Sequence, residues 1–219
     1  MSAGIATAYA NYKQYAIRYD LETGTFTVYH AGRGIIIDHA GITEVRLRGE
    51  KVFDLGDYRD KRSSWSDELE ETRLTIQYRE GPVEQPELTL TFRLDIGGIH
   101  LGIGCRGDLD FHISGRIHWG DDMAVDTFAV CLDRSGPDLR CALGPATSTV
   151  DNALFDRKKD EALEFFGGAA VRLQFDWADR CYHFRLNTEG NDYVRDFSIR
   201  VLSQVYERRY GINYEPINK

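Results

Sequence analysis

Gly102-Ile-Gly-Cys-Arg-Gly107 matches the G-x-G-x-x-G spacing that can cradle a pyrophosphate. That chemistry needs a helix directly after the glycines, so that its free N–H groups and dipole hold the phosphate charge. The next residues are instead Asp108-Leu-Asp-Phe-His-Ile-Ser-Gly-Arg-Ile-His-Trp119, which alternate polar and apolar types and read as a strand. The glycines therefore predict a Gly-rich hairpin, and no nucleotide cofactor is expected.

The same strand sets Asp110, His112, Ser114, Arg116 and His118 on one face, opposite Leu109, Phe111, Ile113, Ile117 and Trp119. Such a polar stripe could line a shallow sugar groove, and it equally describes the solvated face of an antiparallel sheet. His112 and His118 stand about 20 Å apart at ~3.3 Å per residue. Metal-bound imidazoles sit at ~2 Å from their ion, so the pair cannot share one, and no metal is expected.

A third stretch, Asp54 to Glu71, reads as a long irregular loop between two strands, where binding residues tend to gather. It holds Trp65 among serines, with Asp57, Arg59, Arg62 and Asp67 nearby. An indole can stack on the C–H face of a sugar, while carboxylates and guanidinium groups bond its hydroxyls. Trp65 could instead fold back as the apolar anchor of its own loop. Glycoside hydrolysis requires two carboxyl groups at a fixed separation, and nothing in the spacing of the 35 acidic residues singles out a pair. G-x-S-x-G, H-E-x-x-H and Walker-type loops are absent as well.

The elements that would position these groups are strands. Period-two alternation predicts them at Tyr15–Tyr19, Thr25–His30, Gly34–Asp38, Thr43–Arg48, Thr72–Arg79, Glu87–Asp95, Ile99–Cys105 and Asp108–Trp119. It continues through Val125–Leu132, Ala170–Trp177, Cys181–Asn187, Arg195–Leu202 and Gln204–Tyr210. Glu22-Thr23-Gly24, Gly97-Gly98 and Arg106-Gly107-Asp108 supply turn residues that tolerate positive φ. The rhythm breaks from Thr147 to Gly168, where Asp151 could cap a short helix ended by Gly167-Gly168, or a long loop could run instead. The expected class is all-β: two packed antiparallel layers in a single domain over 1–219, with at most one short helix near 151–165.

Composition narrows the partners. A net charge of −8 argues against nucleic acid, which requires a concentrated positive surface. No run approaches the ~20 apolar residues of a membrane span, and the start lacks a signal-peptide pattern. Cys105, Cys131, Cys141 and Cys181 show no C-x-x-C spacing and read as reduced thiols in a reducing compartment, the cytoplasm.

Asp151-Asn-Ala-Leu-Phe-Asp-Arg-Lys-Lys-Asp160 and Tyr210-Gly-Ile-Asn-Tyr-Glu-Pro-Ile-Asn-Lys219, together with the strand pattern, make the chain resemble the N-terminal β-supersandwich of melibiase-like (α-galactosidase-type) glycoside hydrolases. The resemblance implies a galactose mutarotase-like sandwich preceding a C-terminal (β/α)8 barrel. The family's catalytic aspartates lie in that barrel and have no counterpart here. It also implies an α-galactoside-like carbohydrate partner, with the Trp65 segment contributing to the sugar pocket, in some relatives across the subunit boundary of a homo-oligomer. Two other readings stay open. One is a freestanding aldose-epimerase-like enzyme drawing on His100, His112, His118 and Glu189. The other is a structural interaction module.

Overall fold

The computed structural model describes residues 7–47, 50–81, 87–105, 109–120, 126–133, 140–143, 152–167, 171–188 and 195–203. Seventeen strands run through them: β1 Thr7–Tyr12, β2 Tyr15–Asp20, β3 Thr25–His30, β4 Gly34–Leu47, β5 Glu50–Phe53, β6 Asp60–Asp67, β7 Glu71–Arg79, β8 Leu88–Asp95, β9 Gly98–Cys105, β10 Asp110–Ile117, β11 Thr127–Asp133, β12 Arg140–Leu143, β13 Ala153–Asp156, β14 Glu161–Gly167, β15 Val171–Ala178, β16 Cys181–Thr188 and β17 Arg195–Ser203. They form two sheets, one ordered β1-β2-β3-β4-β10-β16-β15 with β5 also on β4, the other β12-β11-β13-β14-β17-β9-β8-β7-β6. Every pairing among the described residues is antiparallel. The all-β, two-layer expectation holds.

Alternation explains the core. Leu88, Leu90, Phe92 and Leu94 of β8 and Phe111, Ile113, Gly115 and Ile117 of β10 are all buried, while the residues between them reach solvent. Aromatic rings interlock the layers. Phe92 of the second sheet meets Phe26 and Tyr19 of the first at 5.1 and 5.7 Å between centroids. Phe165 meets Phe175 and Phe184 at 5.4 and 5.1 Å. Such offset and edge contacts add to the burial of apolar area.

Polar groups also cross the core, each with a partner. The hydroxyls of Tyr19 and Tyr78 bond one another, and Tyr19 also donates to the Gly24 carbonyl (3.2 Å). The Tyr15 hydroxyl accepts the Val201 N–H (2.9 Å). Arg33, in the turn after β3, reaches the other sheet, donating to Asp156 (2.7 Å) and Glu161 (2.6 Å) with its guanidinium 4.0 Å from the Trp119 ring. The second Asp156 oxygen accepts the N–H groups of Lys158 and Lys159.

Four expectations change. Within the expected 151–165 segment, the described residues 152–165 form neither helix nor long loop: β13 and β14 pair as a hairpin, Ala153↔Glu164 to Asp156↔Glu161, turned by Arg157–Asp160 with Asp160 at φ +52°. All four residues of β13 are buried, and four consecutive residues of β14. Strands buried on both faces lose alternation and look like a helical stretch. The Asp54–Glu71 segment is a 3-10 turn at Leu55–Asp57 followed by β6. The expected Gly-rich hairpin is not formed: Gly102 and Gly104 lie within β9, and β9 and β10 belong to different sheets and do not pair. Gly34–Asp38 and Thr43–Arg48 are one bulged strand, β4. Gln204–Tyr210 lies outside the described residues.

Both kinds of polar crossing have measurable consequences. Arg33→Ala strands the buried Asp156 carboxylate and is expected to cost about 3–5 kcal/mol, read from the urea midpoint; a loss under about 1 kcal/mol would contradict the buried-pair account. Burial pushes Tyr15, Tyr19 and Tyr78 up from 10, Tyr78 to about 12. A raised phenol pKa means that the folded state keeps its proton longer than the unfolded chain does. The contribution is therefore full below pH ~10 and lost as pH rises towards ~12. Unfolding midpoints should fall across that window, and Tyr78→Phe should flatten the fall.

Candidate functional site

β10 carries the polar stripe as its sequence predicts: Asp110, His112, Ser114, Arg116 and His118 face outward at intermediate to high exposure, and Phe111, Ile113, Ile117 and Trp119 are buried. Pairing adds neighbours that the sequence could not name. On one side β4 sets Asp38 opposite Arg116 and Glu44 opposite His112; on the other, β16 sets His183 opposite Arg116 and Arg185 opposite Ser114. β15 then brings Asp176 opposite His183.

A bulge shapes the centre of this face. Ser114 opposes Gly41 and Arg116 opposes Asp38, so His39 and Ala40 together face the single residue Gly115. His39 takes φ +48°, which turns its ring outward, 80% exposed. Gly115 has no room for a side chain, because an added Cβ would lie 2.5 Å from the Phe184 ring and 2.6 Å from the Ala40 Cβ. On the wet face, His39, Ser114, Gly115, Arg116 and His183 line a shallow, open depression of about 330 Å³.

Each neighbouring charge is held. Asp38 accepts His118 (3.0 Å) and His39 (3.3 Å). Burial pushes its carboxyl up, but these two histidines outweigh burial and leave it below its ordinary value. Asp176 pairs with Arg185 (3.0 Å), and Glu44 with Arg46 (2.7 Å) and His112 (3.6 Å). Arg116 donates its Nε–H to the Cys181 sulfur (3.3 Å), which also contacts His183 Nε2 (3.4 Å). Cys181 and Cys105 are not in disulfides; the side chains of Cys131 and Cys141 lie outside the described residues. Among the described residues no cluster of three or more His, Cys, Asp and Glu could hold a metal.

The Trp65 group is dispersed by strand geometry. Trp65 opposes Leu74 and Asp67 opposes Thr72, so both lie on the inward face of β6, whereas Arg62 lies on the outward face. β6 is the edge of its sheet, and Trp65 is 68% exposed there. Asp67 accepts the Thr72 hydroxyl (2.7 Å), and Arg62 pairs with Asp60 (2.8 Å). Asp57 accepts the Asp54 N–H (3.1 Å) to close the 3-10 turn, and Arg59 bonds Glu80 through its backbone (3.4 Å). Only Trp65 and Asp67 share a face.

A second constellation is not visible in the spacing. On the outer face of the second sheet, His100 Nδ1 meets the Ser198 hydroxyl (2.7 Å) and its Nε2 meets Asp95 (3.0 Å). Nucleophilic catalysis would also require N–H donors aimed at an oxyanion. Ser198 sits mid-strand between β14 and β9, whose ladders occupy the neighbouring backbone groups. Ser198–His100–Asp95 therefore reads as a cross-strand network. His112 and His118 are tied to carboxylates, and Glu189 lies outside the described residues.

No protein-family model matches the chain, and neither does any curated protein. Among solved structures, a quadruple mutant of α-N-acetylgalactosaminidase NagBb from Bifidobacterium bifidum matches with TM-score 0.65 at 11% identity, over 93% of this chain and 37% of that one. Complexes of NagBb with GalNAc and with Gal-NHAc-DNJ give 0.62 and 0.61 at 12% identity, over 90% of this chain and 36% of theirs. The chain thus spans little more than a third of the length of these glycoside hydrolase chains. What they share at this identity is the sandwich. No helix among the described residues is long and apolar enough to cross a membrane.

Gly115 supplies the local test. Gly115→Ala forces a methyl into Phe184 and Ala40 and should cost about 1–3 kcal/mol by overpacking. Ser114→Ala, one residue away on the wet face, should stay within about 0.5 kcal/mol of the parent. Urea unfolding of the two variants compares them directly.

Proposed function

We propose that the chain is a non-catalytic β-sandwich domain of a glycoside hydrolase acting on α-galactoside-type sugars, supporting or completing the pocket of a C-terminal (β/α)8 barrel. The observation that carries this reading is the coverage: a sandwich matching nearly the whole chain fills about a third of an α-N-acetylgalactosaminidase. Two features of the site fit it. The outer faces carry polar networks that are satisfied by their own neighbours, and Trp65 projects from an edge strand with little cover. In this reading Trp65 stacks on a galactosyl ring at the domain's margin, with Asp67 on the same face as hydroxyl acceptor. Asp57, Arg59 and Arg62 reach sugar only if it extends past the edge of β6. Association of subunits through that edge would bring Trp65 to a neighbour's pocket.

Titration calorimetry with galactose, melibiose and raffinose tests the sugar contact. Weak binding is expected, falling at least several-fold in Trp65→Ala, since an aromatic platform supplies about 1 kcal/mol or more. Equal binding by parent and Trp65→Ala would remove Trp65 from the contact, and no binding by either would leave only support of the barrel. Melibiose hydrolysis by the isolated chain would overturn the non-catalytic reading.

A further inference from the structure

We propose that the depression between β4, β10 and β16 binds an acidic monosaccharide, a hexuronate, with the Arg116 guanidinium taking the carboxylate. This site is on the opposite sheet from Trp65 and is independent of the galactoside contact. The depression is lined by donors. His39, Ser114, Arg116 and His183 all present nitrogen or hydroxyl groups, and no carboxylate is among the lining residues. Of the carboxylates around it, Asp38 is held by His118 and His39 and Asp176 by Arg185, while Asp38 and Asp179 act on Arg116 only through space and form no ion pair with it. Among the described residues none pairs with Arg116.

Arg116 is also held in place. Its Nε–H is donated to the Cys181 sulfur, a weak acceptor, which leaves the two terminal nitrogens to act as a fork. A planar fork matches a carboxylate better than a point charge would. The same sulfur steadies His183 through Nε2, so its Nδ1 edge remains for a hydroxyl. Ser114 adds a hydroxyl, and His39 stands on the bulge as the opposite wall. The volume, about 330 Å³, is at the small end of the range for ligand sites, about 300–1,000 Å³. It suits one sugar ring, and its openness predicts modest affinity.

The test titrates the full 219-residue chain with galacturonate, galactose, acetate and inorganic sulfate, monitoring histidine ring resonances and heat. Galacturonate should bind at least about tenfold more tightly than galactose or acetate, because carboxylate and ring hydroxyls are read together. Arg116→Gln should lose about tenfold or more, and Arg116→Lys several-fold, at unchanged urea midpoints. Trp65→Ala should leave galacturonate binding intact, so this site and the galactoside contact fail or stand separately. Equal binding of galactose, full replacement by sulfate, or indifference to Arg116→Gln would each overturn the assignment.

Discussion

A strand in the middle of a packed sheet has no spare face, and β10 shows what that imposes. Its inward residues Phe111, Ile113 and Ile117 are fixed by the opposing layer, so the outward residues have no choice of direction. Slipping the register by one residue would drive His112, Ser114 and Arg116 into the core. The polar face is therefore as rigidly specified as the apolar one. Gly115 is the point where this is tightest, since the β4 bulge and Phe184 close on it from both sides.

The Arg33–Asp156–Glu161 group applies the same logic to charge. A buried ion pair repays its desolvation only when every lone pair and proton finds a partner. Here Asp156 receives Arg33 on one oxygen and two backbone N–H groups on the other, while Trp119 covers the guanidinium. Because Arg33 comes from one sheet and its acceptors from the other, the group fixes how the layers sit. Tyr15 and Tyr19 do so with neutral groups at other points.

Most of this architecture is legible in the sequence because a strand with one wet face writes its period in the residue order. The failures occur where that condition lapses. β13 and β14 are buried on both faces, so Ala-Leu-Phe and Ala-Leu-Glu-Phe-Phe carry no alternation. β6 is exposed on both, so Asp-Lys-Arg-Ser-Ser-Trp-Ser-Asp reads as a loop. The stripe on β10 is readable for the same reason as the core. Its cross-strand companions His39, His183 and Cys181 are not, because contacts between residues far apart in sequence depend on which strands pair. Ser198 and His100, 98 positions apart, are hidden in the same way.

Sheet faces also limit what such a molecule does by itself. Stabilising a developing charge requires donors preorganised around it and water kept away. In a continuous antiparallel ladder the backbone N–H groups are already spent on neighbouring strands, and an open face excludes little water. Ser198–His100–Asp95 has side-chain distances close to those of a catalytic relay, yet sits mid-ladder on such a face. Binding places weaker demands, since a fixed guanidinium and a few hydroxyl partners suffice on an open surface. On these two faces the geometry thus suits recognition better than bond-making.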